Sequence, residues 1–353
     1  MSTTAVGSAA TPGSAWAPWL QQQLQHLLAQ RGHAWLLQGP SGLGQQALGL
    51  ALARYWLCED QQPAGACGTC ASCKLVDAHT HPDLCVLMPE TAMIALGWPL
   101  DESSQKKIDD KERKASREIR VEAMRGAVEF SQRTSARGRG KVLLVYPAER
   151  MNAVTANALL KTLEEPPGDV KFVLASEAAH QLLPTIRSRC LSHNMLWPVE
   201  AQSRQWLQEQ GVDADTAAVL LRAAGGRPAD VLAWTEDQVS ARQWRQLPRA
   251  LAQGDVQALA GRSPAQMLDV LIKLCHDWMA LSSGAAPRFF DEADLPAAPA
   301  LPALVTWSAE LRKLLRHAEH PYNAGLLQET LVAQVHALCR QAGRSSPTRA
   351  KAA

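Results

Sequence analysis

Leucines recur at spacings of three and four between glutamines over residues 17–30, the pattern of an amphipathic helix. The apolar run Ala34–Leu37 predicts a buried strand. It leads into Gly39-Pro40-Ser41-Gly42-Leu43-Gly44 and then an Ala/Leu-rich helix to about Cys58. Strand, glycine loop, helix is the opening of a parallel α/β domain. Short apolar runs at Leu84–Met88, Lys141–Tyr146 and Val170–Ala175 predict further strands. Helices are expected from about Ile119 to Thr134 and over Asn152–Glu164, the second stopped by Pro166-Pro167. β-type runs alternating with helices predict a doubly wound sheet.

Beyond Pro198 the periodicity is helical, over 199–209, 213–224, 228–235, 240–253, 264–283, 300–317 and 322–341, broken by a Pro/Ala-rich stretch at 285–302. The expected organisation is a flexible leader (1–16), an α/β domain (17–197), a helical lid (198–239), a larger all-helical domain (240–342) and a disordered tail (343–353). Residues 91–117 stand apart: they are mixed in charge and poor in apolar side chains. They are expected to form a mobile surface insertion, so deleting 95–115 should be tolerated.

Composition narrows the function classes. With 46% hydrophobic and 20% charged residues and a net charge of +2, the chain reads as an ordinary soluble protein. That charge bias is too weak to argue nucleic-acid binding. No stretch approaches the roughly 18–20 apolar residues that cross a bilayer. Residues 1–19 lack the basic start and apolar core of a signal peptide. A cytoplasmic protein without membrane partners is expected.

The glycine loop has the frame of a P-loop, G-x-x-x-x-G-K-[ST], in which backbone N–H groups wrap phosphates, the lysine neutralises them and the hydroxyl holds Mg²⁺. Gly39, Gly42 and Gly44 are in place, but Gln45 stands at the lysine position and Gln46 at the hydroxyl position. The strand Lys141–Val145 ends in Tyr146-Pro147, where an ATPase needs acidic residues for Mg²⁺. No functional MgATP site is expected.

Of eight cysteines, Cys58, Cys67, Cys70 and Cys73 crowd into one segment. Four thiolates at this spacing suit a closed tetrahedral Zn²⁺ site, structural because no position is left for substrate. Buried free thiols, or a redox or iron–sulfur site, are the alternatives. His79 and His81 read as turn and packing residues. Cys85, Cys190, Cys275 and Cys339 read as small buried hydrophobes.

Two stretches are more specific: Asn157-Ala158-Leu159-Leu160-Lys161-Thr162-Leu163-Glu164-Glu165-Pro166-Pro167 and Ile186-Arg187-Ser188-Arg189-Cys190. Both resemble the bacterial clamp-loader subunits of the AAA+ family, and the resemblance runs from about Trp35 to Leu196. It implies a P-loop NTPase-type base domain, a helical lid and an all-α C-terminal collar domain. The family's gamma/tau subunits keep a working P-loop, and its delta subunit lacks the Ser-Arg-Cys arginine; this chain fits neither. The resemblance implies that Arg189, flanked by Ser188 and Cys190, acts in trans as an arginine finger on the ATP site of a gamma/tau neighbour. It also implies delta as a second neighbour, and the sliding clamp and primer–template DNA as partners of the assembly. The cysteine segment matches the family's zinc insertion. Ser176 and Arg227 stand where sensor residues would sit and are expected to be relicts, and Lys161 is a candidate phosphate contact. The competing readings are an active AAA+ ATPase, a zinc-dependent nucleic-acid-binding module, and Arg187 and Arg189 as plain surface charges.

Overall fold

The computed structural model describes residues 17–317 and 323–345, with side chains as far as Gln341. The expected leader lies outside the described residues, as do residues 346–353 of the expected tail. Residues 343–345 continue the last helix rather than beginning a disordered tail. The chain separates into two compact units at Pro198/Val199.

The first unit opens with helix α1 (Pro18–Leu28) and strand β1 (Ala34–Gln38), followed by α2 (Gln45–Leu57). A two-strand hairpin, β2 (Gln61–Gln62) and β3 (Gly65–Ala66), and the short α3 (Ala71–Asp77) form the cysteine segment. Next come β4 (Leu84–Leu87), α4 (Glu90–Ala95), α5 (Glu102–Asp109), α6 (Val121–Gln132), β5 (Lys141–Val145) and α7 (Ala153–Glu164). Strand β6 (Val170–Ser176), α8 (Pro184–Arg187) and β7 (Leu191–Asn194) complete it.

Five strands form one parallel sheet in the order β4-β5-β6-β1-β7. Their side chains alternate between two buried faces. Leu143, Val145, Phe172 and Leu174 meet Met124 of α6 and Leu159 and Leu163 of α7. On the other face, Gly49 brings α2 close to the sheet: a Cβ there would lie 2.8 Å from Leu144 and 3.3 Å from Val173. Burial on both faces is why the middles of β5 (Val142–Val145) and β6 (Phe172–Ala175) are apolar. β1 lies between β6 and β7, so the chain's path across the sheet reverses there. Such a point opens a crevice beyond the carboxyl ends of the strands.

The segment 91–117, expected as a mobile surface insertion, has secondary structure of its own. Two helices occupy it, and Asp101 caps α5 by accepting the Ser104 N–H. Glu90, 7% exposed, accepts a forked pair from Arg113 and the Ser116 N–H at 2.7 Å, with Arg120 Nε at 3.4 Å. Burial alone would raise the Glu90 pKa, but Arg113 and these donors hold it below the usual range. Trp98 is buried and stacks on His79. Deleting 95–115 removes Trp98 and Arg113 together. Loss of a buried tryptophan costs on the order of 3 kcal/mol, so the deletion should lower the thermal unfolding midpoint by several degrees. A midpoint equal to that of the intact chain would return the segment to the status of a free loop.

The second unit is helical: α9 (Glu200–Glu209), α10 (Ala214–Ala223), α11 (Pro228–Glu236), α12 (Ala241–Gln253), α13 (Pro264–Ser282), α14 (Leu301–Leu315) and α15 (Ala324–Ser345). Its Pro/Ala-rich break is pinned. Asp277, buried on α13, accepts the N–H groups of Arg288, Phe289 and Phe290, and Trp278 Nε1 donates to Pro296.

Candidate functional site

The glycine loop joins β1 to α2. Gly42 and Gly44 take φ of +86° and +89°, backbone that side-chain-bearing residues rarely adopt. The phosphate-wrapping loop geometry therefore survives. Its lysine and hydroxyl positions are held by glutamines. Gln45, 2% exposed, turns its amide back to donate to the carbonyls of Gly39 (2.7 Å) and Pro40 (2.8 Å). Gln46 is buried as well.

Two carboxylates lie near the loop. The Ser41 hydroxyl and the Tyr146 phenol both donate to Glu177 Oε1, at 3.0 and 2.7 Å. Ser176, the sensor candidate, donates to Glu149 at 2.7 Å. The Glu177 N–H points at the same Glu149 carboxylate (3.1 Å). Burial, then the adjacent Glu177, keep the Tyr146 phenol protonated far above its ordinary range. Glu177 thus contacts the loop through Ser41, and Glu149 is bonded to Ser176 and Glu177 at the end of β6.

Arg189 lies elsewhere. It follows helix α8, which starts with Pro184 and is capped by Ser188, whose hydroxyl donates to Thr185 O. β7 runs parallel to β1 with Leu191 opposite Trp35, so Arg189 precedes the strands' starting end. Gly39 follows their finishing end. Trp35 to Gly39 alone spans roughly 13 Å of extended chain. Arg189 and this chain's own loop are therefore not brought together. The Arg189 side chain is 33% exposed and paired with Glu164 of α7. Arg187 and Ser188 are exposed. Cys190 packs against the core, and burial pushes its thiol up to about 12.

The four clustered cysteines do converge. Cys58 ends α2, Cys67 follows the hairpin, and Cys70 caps α3 by accepting the Cys73 N–H. The four sulfurs lie within 4.8 Å of one another. Cys58 Sγ is 3.5 Å from Cys67 Sγ and 3.9 Å from Cys70 Sγ. Ligands of a tetrahedral Zn²⁺ at ~2.3 Å sit about 3.8 Å apart, so the donor set fits the ion. Backbone N–H groups of Cys67, Cys70 and Cys73 each point at the sulfur of a preceding cysteine. The Thr69 and Cys70 amides hold Cys67 down to about 6, whereas burial pushes Cys58 and Cys73 up.

A polar network fastens this segment to the sheet. Buried Ser72 donates to Glu59 (3.2 Å) and accepts from Arg137 Nε (2.9 Å), and Arg137 also pairs with Glu59. His81 Nδ1 accepts the Asp83 N–H, which leaves Nε2 to donate to Ser72. Asp83, fully buried, accepts from Ala136 N, Arg137 N and the Ser135 hydroxyl, with Lys141 Nζ at 3.6 Å. His81 is thus a packing residue, as is His79.

The other candidates fall outside both clusters. Arg227 pairs with Asp230 (2.6 Å) within the helical unit. Lys161 is exposed on α7. Burial pushes the thiols of Cys85, Cys275 and Cys339 up to about 11. Sequence reasoning missed Glu149, Glu177, Asp83 and the Arg189 partner. The last was visible as Glu164 beside Pro-Pro but carried no local cue.

A parallel sheet in this order, with a glycine loop after β1 and a Ser-Arg-Cys turn before the edge strand β7, defines an α/β domain of the AAA+ clamp-loader class. Residues 17–196, just over half of the chain, match the family described as "DNA polymerase III, delta subunit". The chain is 40% identical over 215 residues to "DNA polymerase III subunit delta'" of Pseudomonas aeruginosa, covering 60% of this chain and 58% of that protein. It is 37% identical over 224 residues to the protein of the same name from Escherichia coli K12 (62% and 60%). With that of Yersinia pestis it shares 32% over 273 residues (74% and 71%). The chain belongs to the DNA polymerase III delta' family. It spans about three fifths of the length of the first two relatives.

Proposed function

We propose that this chain is a clamp-loader subunit that does not hydrolyse ATP itself and donates Arg189 to the ATP site of an adjoining gamma/tau subunit. The observation that carries this reading is the separation within the domain. Arg189 lies beyond the opposite end of the strands from the chain's own glycine loop, so a nucleotide it serves must be another subunit's. The same loop, with Gln45 at the lysine position and bonded to the loop's own carbonyls, argues against an active ATPase. In trans, the guanidinium would stabilise charge developing on the γ-phosphoryl group.

In this reading delta is the other neighbour, and primer–template DNA and the sliding clamp are partners of the whole assembly, in the cytoplasm. Among the described residues, no helix is long and apolar enough to cross a membrane. Residues 198–239 serve as lid and 240–342 as part of a collar. A zinc ion held by Cys58, Cys67, Cys70 and Cys73 supplies a cross-link for the loop after α2 and no catalysis. The net charge of +2 gives a nucleic-acid-binding zinc module no support.

The test is reconstitution. Mixed with purified gamma/tau and delta subunits, the chain should co-elute in one complex that hydrolyses ATP, while the chain alone should show no turnover. Failure to co-elute, or turnover by the chain alone, would overturn the reading.

A further inference from the structure

Both outer nitrogens of the Arg189 guanidinium are bonded within its own chain. Nη1 donates to Thr185 O (2.9 Å) and reaches Ser188 Oγ (3.4 Å), while Nη2 pairs with the Glu164 carboxylate. Nε is shielded from solvent and has no hydrogen-bond partner among the described residues. Arginine donors aimed at a phosphate must first leave these acceptors.

Glu164 stands at an electrostatically poor place for a carboxylate. It is the last residue of α7, whose carboxyl end already carries the negative pole of the helix dipole. Pro166-Pro167 fixes that end, because the chain cannot continue the helix past it. A carboxylate so placed is compensated by the cation it faces. The pair also joins the two stretches that stood out in the sequence, Asn157–Pro167 and Ile186–Cys190, into one device. Both partners are open to water, Arg189 at 33% and Glu164 at 46%. Such exposed pairs are weak, and arginine forms stronger forked, charge-assisted bonds with phosphate. A neighbouring triphosphate can therefore displace the carboxylate.

We infer that Glu164 is the positioning residue for Arg189: it holds the guanidinium withdrawn along the chain's own edge until the γ-phosphate of an adjoining subunit takes its place. The inference rests on the proposed function and adds the regulation of that same site. It is tested by ATP hydrolysis of the reconstituted complex carrying Glu164→Gln, with and without primed DNA. Freed of its holder, Arg189 should raise the DNA-independent rate by about two- to fivefold and lower the KM for ATP. The DNA-stimulated kcat should stay close to that of the unaltered complex, so the stimulation ratio falls. Glu164→Asp, which keeps the charge, should restore the ratio. A merely structural role would lower both rates together and leave KM unmoved. Arg189→Ala, run in parallel, separates the two readings. If it leaves every rate unchanged, the proposed function fails and this inference with it. If it slows hydrolysis while Glu164→Gln changes neither rate nor KM, or lowers both rates as the alanine does, the role of Glu164 alone is overturned.

Discussion

On the proposed function, Arg189→Ala is expected to abolish most hydrolysis at the gamma/tau site that Arg189 serves, while leaving the chain folded and assembled. Arginine fingers contribute on the order of 10³-fold or more to phosphoryl transfer. The steady-state rate of the whole complex should therefore fall to what the remaining sites supply. The fold should be indifferent to the change. Arg189 is one-third exposed, its ion pair with Glu164 is open to water, and such pairs contribute little to stability. Thr185 O, which loses one donor, keeps that of the Ser188 hydroxyl (3.1 Å) and lies on an exposed residue. Arg189→Lys should rescue only partially, because an ammonium lacks the planar fork that matches phosphate oxygens. DNA-stimulated hydrolysis, measured beside the thermal midpoint of the purified chain, checks both halves. An unchanged rate removes the mechanism, and a large drop in midpoint would make Arg189 a structural residue instead.

What could be read from the sequence follows from how local each signal is. β5 and β6 were legible because both faces are buried, which makes the runs Val142–Val145 and Phe172–Ala175 apolar. β7 was not, because it is an edge strand with one neighbour: of Leu191–Asn194 only His193 is buried. The cysteine cluster was legible because its ligands lie in one short segment. The order in residues 91–117 was hidden for the opposite reason. It depends on Glu90 meeting Arg113 and Ser116, 23 and 26 positions on, with no period to announce the meeting. The missing lysine at position 45 could be seen at once. That the replacing amide would fold into the loop's own carbonyls, and that Glu177 would contact the loop through Ser41, depends on where β6 ends beside β1. Glu164 was quoted as part of a motif, yet its partner is set by α7 and α8 meeting at the starting end of the sheet.

Removing zinc should open the segment from Cys58 to Asp77 first and leave the sheet standing. The expectation starts from how little else holds that segment. Its hairpin pairs two residues with two, its helix α3 is 7 residues long, and both are below the size that is stable alone. The core under the sheet, built on Leu36, Leu143 and Phe172, contains none of the four ligands. Structural zinc contributes on the order of 10 kcal/mol to small domains that lack a core of their own. Only a few of these should register here, because the Ser72, Glu59 and Arg137 network also ties the segment down. Cys70→Ser tests the ligand set directly: serine can still cap α3, but its hydroxyl is a poor ligand for a soft site. Carefully purified chain should carry about one zinc per molecule by elemental mass spectrometry. Chelation or Cys70→Ser should speed amide exchange over residues 58–77, then over the 135–140 turn that the network reaches, and lower the thermal midpoint. Metal-free protein with full amide protection across the segment would mean that the four thiols pack there without an ion.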